Sequence, residues 1–236
     1  LKNAITPRTK LLLLNFPSNP TGGVASRENL RQIAELVQER GLYVITDEIY
    51  RELLWDGGEF TSVAGFPGMK ERTVIVDGFS KTYAMTGFRL GYGAAPAEVI
   101  VTMTKLLENV LSSVNEGVQW GGVAALTGDQ SCVEEMKRQY RLRREIVVDG
   151  LNRIENITCP APKGAFYAFA NISRTGLSSQ EFAVRLLQEE HVTVVPGTGF
   201  GAGGEGFIRI SYATSEENIR EGLRRLERFT QRLSIH

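Results

Sequence analysis

The sequence predicts an α/β fold, a layer built on a mostly parallel sheet, followed by a smaller α+β unit. Three observations carry this. Between residues 10 and 76, short aliphatic or β-branched runs alternate with a stretch of helical period, the strand–helix–strand order of a parallel sheet. After residue 128 a long amphipathic helix is followed by shorter strands and helices of a different texture. Polar residues suited to chemistry fall at the carboxyl ends of the first strands, where the ligand crevice of such sheets lies. The expected division is residues 1–127 and 128–236.

Residues 10–14 are an aliphatic run that breaks into Phe16-Pro17-Ser18-Asn19-Pro20-Thr21-Gly22-Gly23, a buried strand ending in a structured loop. Ser26 suits the N-cap of a helix carrying Leu30, Ile33, Ala34 and Val37, with Gly41 as its stop. Residues 42–46 form the next strand, with Asp47-Glu48-Ile49-Tyr50 at its end. A glycine-rich excursion over residues 55–68 precedes the strand 73–76, which leads to Lys81. Residues 96–126 read as helical, with breaks near Ser112 and Gly117. Val133, Met136, Tyr140, Val147, Leu151 and Ile154 make the apolar stripe of the long helix, and Arg138, Arg141, Arg143 and Arg144 read as its solvated face. Beyond it lie a β segment (164–170), a helix (178–190), strands at 192–195 and 207–211, and a last helix begun by Ser215 and carrying Ile219, Leu223 and Leu226.

Composition narrows the function. Of 236 residues, 42% are hydrophobic and 23% charged, the balance of a soluble globular protein. Twenty-seven basic and 27 acidic residues give no net charge, which argues against nucleic acid or an anionic membrane as partner. Two cysteines are too few for a disulfide framework or a zinc site and fit a reducing cytoplasm; no metal is expected. No apolar run approaches the ~18–20 residues of a membrane span. The start lacks both a signal-peptide core and a methionine, so the chain is expected to begin partway through a longer protein.

The centre of the sequence is GFSKTYAMTGFRLGY, residues 78–92. Lys81 follows a β-branched run and precedes Arg89 by eight residues. Desolvating an ammonium is costly. Burial favours the neutral amine, and a neutral amine can attack a carbonyl to form a Schiff base. For a lysine on its own, a surface loop position is the plainer reading; here the neighbouring blocks decide.

Residues 15–23 (NFPSNPTGG), 47–50 (DEIY), 78–91 and 207–213 (FIRISYA), in this order and spacing, resemble the class I/II aminotransferases, the fold type I pyridoxal-phosphate enzymes. The likeness runs over about residues 5–229. It implies an incomplete large domain with a mostly parallel sheet, a small α+β C-terminal domain, a cytoplasmic homodimer, and exchange of an amino group between an L-amino acid and a 2-oxo acid. It implies that Lys81 holds pyridoxal 5'-phosphate as an internal aldimine and, once freed, moves a proton at the substrate α-carbon. Asp47 corresponds to the carboxylate that keeps the ring nitrogen protonated; a cap or loop hydrogen bond is its alternative. Glu48 is expected to be structural. Tyr50 and Asn19 correspond to donors to the ring's phenolate oxygen, although each also suits an ordinary turn. Asn19 is further placed beside the substrate.

Arg89 corresponds to the phosphate-binding arginine. Many relatives carry serine where this chain has Gly78, which leaves Ser80 as the candidate hydroxyl for the phosphate. Arg209 corresponds to the arginine that clamps the substrate α-carboxylate. The rivals are a lyase or aminocyclopropane-carboxylate synthase-like enzyme with the same cofactor, and a non-catalytic domain that kept the fold. Residues 199–204 fit GxGxxG literally, but a strand follows instead of a helix, so a mobile loop near the entrance is expected and not a pyrophosphate site. His191 and His236 stand apart from the lysine blocks, so histidine acid–base chemistry is not expected. Residues 99–136 hold no arginine and only Lys105, so no cationic receptor for a second carboxylate is visible there. The chain alone is expected to bind the cofactor weakly.

Overall fold

The computed structural model describes residues 1–233. It comprises two compact units: Leu1–Pro17 with Val24–Val133, and Ser18–Gly23 with the chain from Glu134 onward.

The first unit is built on a four-stranded sheet. β1 (Leu11–Asn15) leads through α1 (Arg27–Glu39) to β2 (Tyr43–Asp47), and β3 (Thr73–Gly78) runs into one helical turn, α2 (Phe79–Thr82). β4 (Gly91–Ala94), α3 (Ala97–Val110) and α4 (Glu116–Thr127) follow. The strand order is β1-β2-β3-β4, the first three parallel and β4 antiparallel. Asn15 pairs with Asp47 and Asp47 with Val76, so the carboxyl ends of β1, β2 and β3 meet at one edge. The Ser26 hydroxyl caps α1 by accepting from the Asn29 amide (3.1 Å). Leu30, Ala34 and Val37 of α1 pack on Leu12 and Val44 of the sheet, with Val63 and Met69 closing the cluster. Leu11, Leu13 and Tyr43, on the other face of the sheet by strand alternation, are exposed, as are Val101, Leu106 and Val110 of α3 and Trp120 of α4.

Two features of this unit depart from the sequence reading. Lys81 sits on α2, a helical turn that the sequence reading did not assign. Gly91-Tyr92-Gly93-Ala94, poor in strand formers, nevertheless forms β4. Close backbone approach explains it: a Cβ on Gly78 would lie 2.9 Å from the Gly91 Cα and from the Leu90 carbonyl oxygen, and one on Gly91 would sit tightly at 3.1 Å from the Asp77 carbonyl oxygen.

The second unit takes all but the first turn of α5 (Ser131–Arg153), then β5 (Tyr167–Asn171), α6 (Ser179–Glu190), β6 (Val195–Pro196), β7 (Phe207–Ser211) and α7 (Glu216–Leu233). Its sheet is antiparallel in the order β5-β7-β6. Phe182 of α6 meets Phe229 of α7 edge-on (5.1 Å between centroids), and Leu186, Ile208, Tyr212 and Leu226 are buried around them. The Ser18–Gly23 segment belongs here because the Gly22 carbonyl accepts from the amides of Lys163 (2.9 Å) and Gly164 (3.0 Å). Gly22 has φ +65°, and a Cβ on it would overlap Pro162, so only glycine fits.

Three expectations are corrected in this unit. The β segment starts at Tyr167, not residue 164, because Ala165 adopts φ +57° and cannot extend. The strand at 192–195 shrinks to Val195–Pro196, which alone find partners on β7, in Arg209 and Ile208. The arginines of α5 are not one solvated face. Arg138 and Arg141 are exposed, but Arg144 is buried and its Nε donates to the Pro162 carbonyl (2.7 Å), while Arg143 lies 5.7 Å from the Tyr140 ring centroid. The glycine-rich stretch forms two successive 3-10 turns, Gly197–Phe200 and Ala202–Gly204, and β7 follows it. Among the described residues no helix is long and apolar enough to cross a membrane.

Candidate active site

In the first unit the strand ends gather the predicted residues. Asp47 closes β2, and its Oδ1 accepts from the Ile49 amide (3.2 Å) while Asn15 Nδ2 donates to its backbone carbonyl (3.4 Å). Tyr50 lies buried three residues on. Lys81 is carried by α2 at the end of β3, and its Nζ lies 5.8 Å from the centre of the Tyr50 ring. The parallel register therefore brings an amine, a phenol and a carboxylate to one edge of one sheet. Ser80 is half-buried beside Lys81. Arg89 is exposed; it follows a 3-10 turn with φ +55°, and its Nη1 donates to the Thr86 carbonyl (3.0 Å). A side chain at position 78 has no room, so the serine hydroxyl of many relatives has no counterpart there unless β4 moves.

Two acidic groups behind this edge are buried. Glu48 accepts from the Ser62 hydroxyl (2.6 Å), and burial pushes its carboxyl above the ordinary range against the pull of that bond. Asp77, which sequence reasoning did not single out, is the penultimate residue of β3, with Oδ1 accepting from the Gly78 amide (2.6 Å) and Oδ2 from the Tyr92 hydroxyl (2.8 Å). Arg51 Nε lies 3.2 Å from the same Oδ2. Burial, together with the bond to Asp77, pushes the Tyr92 phenol up to about 12. The available signal for Asp77 was an aspartate closing an otherwise apolar β-branched strand.

In the second unit the structure joins Arg209 to Asn19. Arg209 lies on β7 and its Nη1 donates to Asn19 Oδ1 (2.8 Å). Its guanidinium carbon is 4.6 Å from the Tyr167 ring centre and 5.0 Å from that of Phe200. Two aromatic faces and one amide thus make an arginine tolerable in an apolar strand. Its Nε is buried and has no hydrogen-bond partner among the described residues, an N–H that a carboxylate would satisfy. The bond to Arg209 uses the Asn19 amide oxygen, whereas the ring-donor role requires the nitrogen. Tyr167 and Phe200 were missed because nothing in their spacing to Arg209 marks them. His191 caps the C-terminal end of α6 at φ +55°, and His236 lies outside the described residues.

Residues 1–226 match the family described as aminotransferase class I and II. An aspartate aminotransferase of Pyrococcus horikoshii is 42% identical over 230 residues, covering 97% of this chain and 58% of the relative. Aromatic-amino-acid aminotransferase 2 of Thermococcus litoralis is 42% identical over 230 residues, covering 97% of this chain and 59% of the relative. The crystal structure of an aromatic aminotransferase from Pyrococcus horikoshii superposes with a TM-score of 0.97 at 41% identity, over 100% of this chain and 63% of that one. The chain thus spans about three fifths of the length of the curated relatives it matches. With a match running through both units and a backbone that follows a solved member throughout, the chain belongs to the class I and II aminotransferase family.

Proposed function

We propose that this chain carries the cofactor lysine and the substrate-carboxylate arginine of a pyridoxal-phosphate-dependent aminotransferase, which exchanges an amino group between an L-amino acid and a 2-oxo acid. The observation that carries the reading is the Lys81 amine placed 5.8 Å from the centre of the buried Tyr50 ring, on the sheet edge that also holds Asp47. An amine, a phenol and a carboxylate, with an arginine eight residues after the lysine, are the donor set that an aldehyde-bearing pyridine phosphate requires, so the residues fit the group. When bound, pyridoxal phosphate supplies an electron sink that weakens the bonds at a substrate α-carbon.

The protein's part divides by residue. Lys81 attaches the cofactor through Nζ and, when released, holds on Nζ the proton taken from the α-carbon. Asp47 stabilises a protonated ring nitrogen by its charge. Tyr50 donates its hydroxyl hydrogen to the ring's phenolate oxygen. Arg89, with Ser80 beside Lys81, binds the phosphate. Arg209 pairs with the substrate α-carboxylate, using the Nε that no group among the described residues occupies, and Asn19 holds the guanidinium in its plane. Relatives named for aspartate and for aromatic amino acids support an L-amino acid as donor. The exposed apolar residues of α3 and α4 support assembly as a homodimer, and the cysteine content supports a cytoplasmic location.

Borohydride reduction of the protein mixed with pyridoxal phosphate, followed by peptide mapping, should find the label on Lys81. A label on another lysine refutes the assignment. Conversion of the cofactor's near-visible absorbance by an amino donor, reversed by a 2-oxo acid, should separate transamination from elimination.

A further inference from the structure

Asp77, like Glu48, is a buried acid of the lysine region to which the proposed chemistry gives no task, and its contacts reach the turn that bears Lys81. It is 6% exposed and is held from three directions. The Gly78 amide donates to Oδ1 at the point where β3 turns into α2, the turn that bears Lys81. The Tyr92 hydroxyl donates to Oδ2 from β4, whose Tyr92 pairs in register with Asp77. Arg51, the residue after Tyr50, brings its Nε to 3.2 Å from Oδ2. One carboxylate therefore ties together the segment carrying Tyr50, the turn carrying Lys81 and the strand that returns from Arg89. The turn is braced further by the Phe79 amide donating to the Leu90 carbonyl (3.2 Å) and by the Phe79 ring set edge-on to Tyr92 (6.0 Å).

We infer that Asp77 is a positioning residue for Lys81: it fixes the β3–α2 turn against the Tyr50 segment and so sets where the lysine amine sits relative to the Tyr50 ring. Burying a carboxylate is costly unless charged and polar donors surround it. All three contacts of Asp77 lie on segments that carry or flank the proposed cofactor residues. The hydrogen bond to Gly78 is charge-assisted and acts on a residue whose neighbour β4 leaves no space for a side chain. Loss of the carboxylate frees the first amide of the turn, and the lysine three residues later moves with it. The role rests on the reading of Lys81 as the cofactor lysine.

The test uses the whole chain without added cofactor. Competitive acetylation with trace acetic anhydride compares Lys81 with Lys70, Lys105 and Lys163 in one digest, and hydrogen exchange reads the Gly78 amide. Asp77→Ala removes all three contacts. Asp77→Asn keeps an acceptor for Gly78 but not the charge facing Arg51, and Tyr92→Phe removes one donor alone. In Asp77→Ala, Gly78 should exchange about tenfold faster, and in Asp77→Asn it should return toward the parent rate. Lys81 should be acetylated about threefold faster relative to the other three lysines in Asp77→Ala, with smaller increases in the other two variants. Unchanged Lys81 ratios, or a rise shared by all four lysines, overturn the inference. Should Asp77→Ala fail to fold, Asp77→Asn and Tyr92→Phe decide it alone, and an unmoved Lys81 ratio in both overturns it. Borohydride trapping of pyridoxal phosphate on a different lysine would remove the functional reading separately, since the acetylation and exchange results stand without cofactor.

Discussion

Arg209 is held by two ring faces and one amide, and its Nε waits for an acceptor. Arg209→Ala should therefore act on substrate binding: KM for the amino donor rises by the equivalent of about 1.5–3 kcal/mol, and the cofactor spectrum stays as in the parent. A disturbed spectrum with unaltered donor kinetics would contradict the role. Glu48 gives a pH-dependent expectation. Burial raises its carboxyl in the folded chain, so between the ordinary carboxylate value and the raised one the fold binds more protons than the unfolded chain. Its stabilising contribution is full below the unfolded value and is lost as pH rises through the folded one. Glu48→Gln should raise the thermal midpoint near pH 7, and the gain should shrink toward about pH 4, where both side chains are neutral. Melting curves of the two proteins across that range check it. At this scale the sequence was readable where chemistry forces the residue type. An arginine inside FIRIS and a lysine after a β-branched run both demand explanation, whereas Tyr167, Phe200 and Asp77 acquire meaning only from neighbours distant in the chain.

Elements with local signals, apolar strands included, were legible, and those that only pairing decides, such as β4, were not. Ser26 and Ser215 open their helices as their positions imply, because a cap is a contact over three residues. β4 has no such signal, since glycines at 78 and 91 matter only once two backbones approach. The run at 192–194 has strand-forming residues but no partner strand, and propensity without pairing makes no ladder. The Ser18–Gly23 segment yields a prediction at this scale. Gly22→Ala would set a Cβ against Pro162 at a positive φ, so the segment should lift from the Lys163 and Gly164 amides. Stability should fall by about 1–3 kcal/mol, and donor KM should rise because Asn19 leaves Arg209. Denaturant midpoints together with kinetics would show it; a stability loss without a change in KM would separate the segment from substrate binding.

For the molecule as a whole, the unusual property is the apolar surface of the first unit. Leu13 is 73% exposed on an edge strand, and Val110 of α3 is 75% exposed. Unpaired strand edges and large apolar patches promote association. Sedimentation of the purified chain should show concentration-dependent self-association, and Leu13→Lys should weaken it with the thermal midpoint almost unchanged. Monomeric behaviour of the parent at high concentration would exclude this. A two-part division was expected from the change of texture after residue 128. The membership of residues 18–23 in the second unit was not, because a short loop bears no mark of the distant backbone that will claim it.

The Asn19–Arg209 bond spans 190 positions of the chain. During synthesis the asparagine leaves the ribosome first and can acquire its partner only after 190 further residues have been added. Contacts of such long sequence separation are slow to form, because closure entropy must be met before the contact returns any energy. The proposed grip on a substrate carboxylate thus forms only after the chain through β7 has been made. A product cut short before β7 lacks that grip altogether, even if its lysine-bearing sheet has already formed.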